Sequence, residues 1–120
     1  MTLSREEILR AADLPTEDVD VPEWGGSVRV RALTAADRDR IEGEQADASG
    51  PARFHNFRAR LVARAAVDGA GRPLFGEDDV HALAQKSAVA LDRVFTAVLR
   101  MNGLTASAQE GVEKNSNGAR

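Results

Sequence analysis

The chain contains no cysteine and no tyrosine. The first absence excludes disulfides, thiolate metal sites and a cysteine nucleophile; the second excludes a phenolic acid or base. Aromatic residues make up 4% of the chain, with Trp24 as the sole tryptophan. There are two histidines, His55 and His81, well separated and outside any HExxH frame. They offer little from which to build a metal site or a proton relay. No Gly-x-Ser-x-Gly occurs, and "DGAGRP" lacks the Lys-Ser/Thr that follows a phosphate-binding glycine loop. No apolar run reaches the roughly 20 residues that cross a bilayer. "MTLSREEILRAAD" is charged from Arg5 onward and lacks the apolar stretch of a secretory signal, so cytoplasm is expected. Lysine is scarce too: Lys86 and Lys114 stand against fourteen arginines.

What is present fits a single modest core in 120 residues. Hydrophobic residues make up 42% and charged residues 29%, with a net charge of −3. An acidic balance argues against gripping phosphates as the main task. The arginines of the segment after Pro51 (Arg53, Arg58, Arg60 and Arg64) are not confined to one helix face and read as a solvated surface. The fold class expected is α+β: mostly helical, about four to five helices, with one N-terminal antiparallel β-hairpin and a disordered C-terminal tail. One domain covers 1–104 and the tail covers 105–120.

The elements follow from local signals. Ser4 and Glu7 have capping-box spacing, so a helix is expected over about 4–12, ended by "DLP". Val19 and Val21, then Val28 and Val30, alternate with charged residues on both sides of "EWGG". This predicts a hairpin over about 18–32, with Gly25 and Gly26 supplying positive φ. The valines share one face, and Asp18 and Asp20 oppose Arg29 and Arg31 on the other. Thr34 and Asp37 start a polar helix over 34–47, weakened by Gly43. Phe54, Phe57, Leu61 and Ala65 form a stripe over 52–67. Glu77, Asp78 and Asp79 acidify the start of a helix over 77–86, in keeping with the helix dipole rather than with a carboxylate cluster for catalysis. Leu91, Val94, Phe95, Val98 and Leu99 line a helix over 87–101, stopped by Asn102 and Gly103.

No catalytic, cofactor-binding or metal-binding residues emerge. The side chains singled out for a partner are Trp24, Leu91, Phe95 and Leu99. Trp24 either covers the valine face or anchors a partner, since tryptophan is enriched among interface hot spots. The Leu91–Phe95–Leu99 stripe reads most simply as core, with part of it available to share with a partner.

The order of segments carries a resemblance. An "EEILRAADLP" helix precedes "VPEWGGSVRVRALT" (Val21 to Thr34) and a charged "AADRDRIE" helix. "DGAGRPLF" (Asp68 to Phe75), "LDRVFTAVLRMNGL" and a final "EKNS" follow. This pattern resembles the tail assembly chaperones of long-tailed bacteriophages of the siphovirus type, especially those of high-GC hosts. It spans nearly the whole chain and contains no catalytic motif. The resemblance implies a non-enzymatic protein that binds the tape measure protein, keeps it soluble and promotes polymerisation of the tail tube. It implies no cofactor, no nucleic acid, no membrane, a place in the host bacterial cytoplasm and absence from the mature virion. Homo-oligomerisation stays open. The resemblance also implies a longer form, made by a programmed minus-one frameshift, through which the tail tube protein is engaged. Glu113-Lys114-Asn115 can be encoded GAA-AAA-AAC, which contains the slippery heptamer A-AAA-AAC. A lysine kept there in a lysine-poor chain fits that requirement. The alternatives are a structural tail or head-tail component, or a small regulatory nucleic-acid-binding protein.

Overall fold

Ser4 opens the first element of the computed structural model, which describes residues 1–50 and 56–104. The expectations placed on Arg53, Phe54, His55, Lys114 and the 105–120 tail lie outside those residues. Helix α1 (Arg5–Arg10) is held by the expected reciprocal cap. The Ser4 hydroxyl accepts from the Glu7 amide at 3.1 Å, and the Glu7 carboxylate accepts from the Ser4 amide at 2.8 Å. Those hydrogen bonds hold the Glu7 carboxyl below its ordinary value.

Strands β1 (Thr16–Val21) and β2 (Gly26–Arg31) pair antiparallel with Val19 opposite Val28. The valines share a face as expected, and Val21 and Val30 are fully buried. The turn differs from a two-glycine hairpin. Pro22–Trp24 form a single 3-10 turn, and Gly25 alone takes positive φ, at 78°. Gly26 already belongs to β2. Proline suits this turn because its fixed φ matches the first position and it lacks the donor a strand would need. The polar face also pairs less fully than expected. Asp18 meets Arg29 at 2.8 Å, whereas Asp20 lies opposite Ser27 and Arg31 lies opposite Thr16. Arg31 instead reaches Asp37 at 3.4 Å, because that carboxylate already sits at the cap of the next helix.

Helix α2 (Ala35–Asp47) starts at the Thr34–Asp37 capping box and buries only Ile41. Helix α3 (Phe57–Ala65) buries Leu61, Val62 and Ala65 along the expected stripe. It ends two residues before the expected boundary. Ala66 and Val67 turn extended and form β3 (Ala66–Val67), pairing with Val30 and Arg29 of β2. The sheet therefore has three strands in the order β1-β2-β3. "DGAGRP" folds the chain back on itself. The Asp68 carboxylate accepts from the Ala70 and Arg72 amides at 2.8 and 3.0 Å, and Gly71 sits at φ 82°.

A 3-10 turn at Glu77–Asp79 leads into α4 (Val80–Ala84), and Ser87 caps α5 (Ala88–Met101). One face of α5 lies across the sheet and α3. Phe95 meets Phe57 edge-on at 6.0 Å between ring centres. Asn102 ties this helix to the end of β2. Its Oδ1 accepts from the Leu33 amide at 2.8 Å, and its Nδ2 donates to the Val98 carbonyl at 2.8 Å. Val21, Val30, Leu61, Val62, Val94 and Val98 form the centre of the core, each less than 2% exposed. Each such burial contributes about 1.5–3 kcal/mol before chain entropy is set against it.

Candidate interaction surface

Two acidic residues at opposite ends of β1 set the sheet against α5. Glu17 lies at the start of the valine face and accepts both Arg100 guanidinium donors, at 3.0 and 2.5 Å. Glu23, in the 3-10 turn, accepts both donors of Arg93 at 2.8 and 2.9 Å. The two arginines are seven residues apart on α5, two turns, so they share a face. Hydrogen bonds from Arg100 and Arg93 hold the Glu17 and Glu23 carboxyls below their ordinary values, and the guanidinium pKa values rise in turn. Asp18 is lowered likewise by Arg29.

Several other arginines are matched locally as well. Arg58 meets Asp92 at 2.8 Å and stacks over the Phe95 ring. Arg60 meets Glu44 at 3.4 Å. Arg64 meets Glu44 and Glu77 at 3.5 and 3.1 Å. The α3 arginines that could have formed a basic face are thus each set against a carboxylate. The hollow that Arg60 and Arg64 border, about 300 Å³, is lined by the opposed charges of Glu44 and Glu77. Glu77 is drawn into this network, and Asp79 caps the Gly76 amide at 2.9 Å. Among the described residues, no three His, Asp or Glu side chains gather in a way that could hold a metal ion. His81 lies exposed on α4.

Among the described residues, apolar surface gathers in three places, apart from the singly exposed Leu14, Leu74 and Val89. The first is the N-terminal arm, where α1 buries nothing: Leu3 ahead of it and Ile8 and Leu9 on it are 62, 55 and 68% exposed. The second is a groove of about 550 Å³ walled by Trp24, Phe75, Ala82 and Leu83, with Asp79 and Lys86 on its lining. The third is a shallow channel of about 430 Å³ between α2 and α3, lined by Ile41, Ala46, Phe57, Leu61 and Leu104 among others.

Of the side chains singled out for a partner, Trp24 remains accessible, half-buried at the hairpin tip and lining the groove. It packs partly on the core and partly faces solvent, so both readings of it hold in part. Leu91, Phe95 and Leu99 are 5, 3 and 9% exposed and are spent inside the chain. Truncating a buried phenylalanine typically costs about 3–5 kcal/mol, so a substitution at Phe95 reports on folding before it reports on any contact. The structure brings Trp24 to Phe75 and Leu83, residues the sequence reading did not associate with it. The α2–α3 channel had a signal that went unused. A helix with one strong apolar residue, Ile41, cannot fill the space beside α3.

Among solved structures, the chain is similar to that of the bacteriophage HK97 tail assembly chaperone. The two are 20% identical with a TM-score of 0.59, and the match covers 80% of this chain and 90% of that one. This likeness is one of fold. No protein-family model and no curated protein matches the chain.

Proposed function

We propose that this protein is a bacteriophage tail assembly chaperone of the siphovirus type, without enzymatic activity, that holds the tape measure protein soluble while the tail tube polymerises around it. The fold shared with the HK97 chaperone supports the reading. The observation that carries it is where apolar surface remains. Val21, Val30 and the α5 stripe are consumed in the core, and the α2–α3 channel, walled in part by the α3 stripe, stays open. Its walls are Ile41, Phe57, Leu61 and Leu104, and its rim is Arg38, Glu42 and Gln45. An apolar floor with a polar rim suits one side of an amphipathic helix.

A patch of a few hundred Å² binds weakly by itself. Many copies along an elongated client gain avidity, and each copy can still be displaced by an arriving tube subunit. The chain continues from Leu104, which lines the channel. An extension added by a frameshift at Lys114 would carry the tube-binding segment of the longer form. A codon AAG at position 114 would remove the slippery sequence and with it this route to a longer form.

The test is co-expression with the tape measure protein of the same genome. Ala46 is exposed on the channel wall, so Ala46→Glu places a charge in the channel without touching the core. The expected result is a several-fold loss of soluble client with the variant itself folded. An unchanged yield would remove the channel as the client site. A structural tail component, the competing reading, would be recovered in purified virions, from which a chaperone is missing.

A further inference from the structure

Helix α2 is weakly seated on an apolar floor. Its one buried side chain, Ile41, lies over a surface that Phe57 and Leu61 of α3 build with Leu33 and Leu104. The rest of its hold on α3 is polar. The Glu44 carboxylate meets Arg60 and Arg64 at 3.4 and 3.5 Å, and the Gln45 side-chain oxygen accepts from Arg60 at 3.1 Å. The N-terminal end of α2 is tied separately, by the Thr34–Asp37 cap, the Arg31–Asp37 pair at 3.4 Å and a hydrogen bond from Arg38 to the Asn102 carbonyl at 3.4 Å. Ion pairs that reach solvent contribute little and are screened by salt. Local opening draws on thinly packed segments of this kind.

Size adds a second condition. A helix about 10 Å across takes up roughly 420 Å³ per turn of 5.4 Å. The channel holds about 430 Å³, the volume of a single turn. A partner helix of several turns therefore fits only if α2 gives way.

We propose that the C-terminal half of α2 swings off α3 about its capped N-terminal end, and that the widened channel takes an amphipathic helix whose apolar stripe is flanked by carboxylates. The incoming carboxylates replace Glu44 on Arg60 and Arg64, and several apolar side chains replace the single Ile41. On α3, Arg60 and Arg64 are four residues apart beside Phe57 and Leu61, so one helix meets both rows at once. Charge selects the partner, because a helix with basic flanks would face the two guanidinium groups with like charge. The occupant already there has the same character: α2 carries five acidic residues against two arginines. It remains as the outer wall, so Ala46 still faces what enters. The inference rests on the channel being the client site, as proposed above, and adds the chemistry of the segment bound.

Two measurements on the full chain test this. The first is amide hydrogen exchange. Residues 41–47 should exchange about tenfold or more faster than α3 and α5, and faster still when salt rises from about 0.05 to about 0.5 M, with α3 and α5 little changed. The second is binding of a labelled synthetic peptide of residues 34–48 carrying Arg38→Leu and Gln45→Leu. These substitutions put leucines three residues before and four after Ile41, on its face, and leave Glu44 in place. The peptide should bind and further speed exchange in 41–47, and Glu44→Lys within it should weaken binding about tenfold. The proposal is overturned if 41–47 are as protected as α3, if the peptide does not bind, if Glu44→Lys makes no difference, or if binding leaves exchange in 41–47 unchanged. The substitutions are confined to the peptide, so misfolding of the chain cannot imitate any of these results. Neither measurement contains the tape measure protein, so failure here is distinct from failure of the co-expression test.

Discussion

At Gly25 the backbone turns with φ 78°, while Gly26, one residue on, is ordinary strand. The two glycines look equivalent in "EWGG" and are not. No atom lies within 4 Å of a Cβ added at either position, so space does not distinguish them. Conformation does: a side chain at positive φ costs about 1 kcal/mol or more, and in extended backbone it costs little. Gly25→Ala is expected to lower unfolding free energy by about that amount, with Gly26→Ala within about 0.5 kcal/mol of wild type. Denaturant melts of the two variants check this, and equal effects would contradict the turn described. The presence of a turn was legible from the glycines. Which glycine was needed was not, because Pro22 sets a 3-10 turn before Gly25.

Among the elements, α1 stands apart. Its signal was plain, with Ser4 and Glu7 at capping-box spacing, and the helix forms there. Its packing was not legible, because Ile8 and Leu9 would look the same whether they met the core or a partner. This makes its stability local. Ser4→Ala removes a cap worth about 1 kcal/mol of helix stability. The expected outcome in dilute protein is faster amide exchange within Arg5–Arg10, with the global unfolding midpoint unchanged. A fall in that midpoint would mean that α1 packs on its own core. At α3 the expected stripe holds from Phe57 through Ala65, and the expected helix ran two residues too far beyond it. Ala66 and Val67 continue the apolar run, and their extended form depends on the free edge of β2. Pairing with a strand 36 residues upstream overrides helix propensity, and no local pattern announces it.

At the scale of the whole molecule, ion pairs join distant segments over the apolar core. Glu23–Arg93 and Glu17–Arg100 join residues 70 and 83 positions apart. Their carboxyls lie below the ordinary glutamate value of 4.5. A depressed carboxyl contributes stability that is complete above its unfolded value and is lost as pH falls through the folded one. The urea midpoint is therefore expected to be flat from neutral pH to about 5 and to fall below about 4.5. A Glu17→Gln, Glu23→Gln double variant should show a shallower fall on the acid side. If its slope matches the wild type, these pairs are not coupled to folding. Both pairs are exposed to solvent, so salt should reduce the effect.

Sequence alone determined the caps at Ser4 and Thr34, a helix start near Ser87, the valine alternation, the stripes of α3 and α5, and the stop at Asn102–Gly103. Each depends on hydrogen bonds or periodicity within a few residues, which the chain carries wherever it goes. Only the tertiary structure decided that β3 exists, that Leu91, Phe95 and Leu99 are spent in the core, and that α1 and the two hollows keep their apolar surface. Those outcomes depend on which faces meet, and meeting is a property of the packed chain: the same leucine is core or contact according to what lies opposite it.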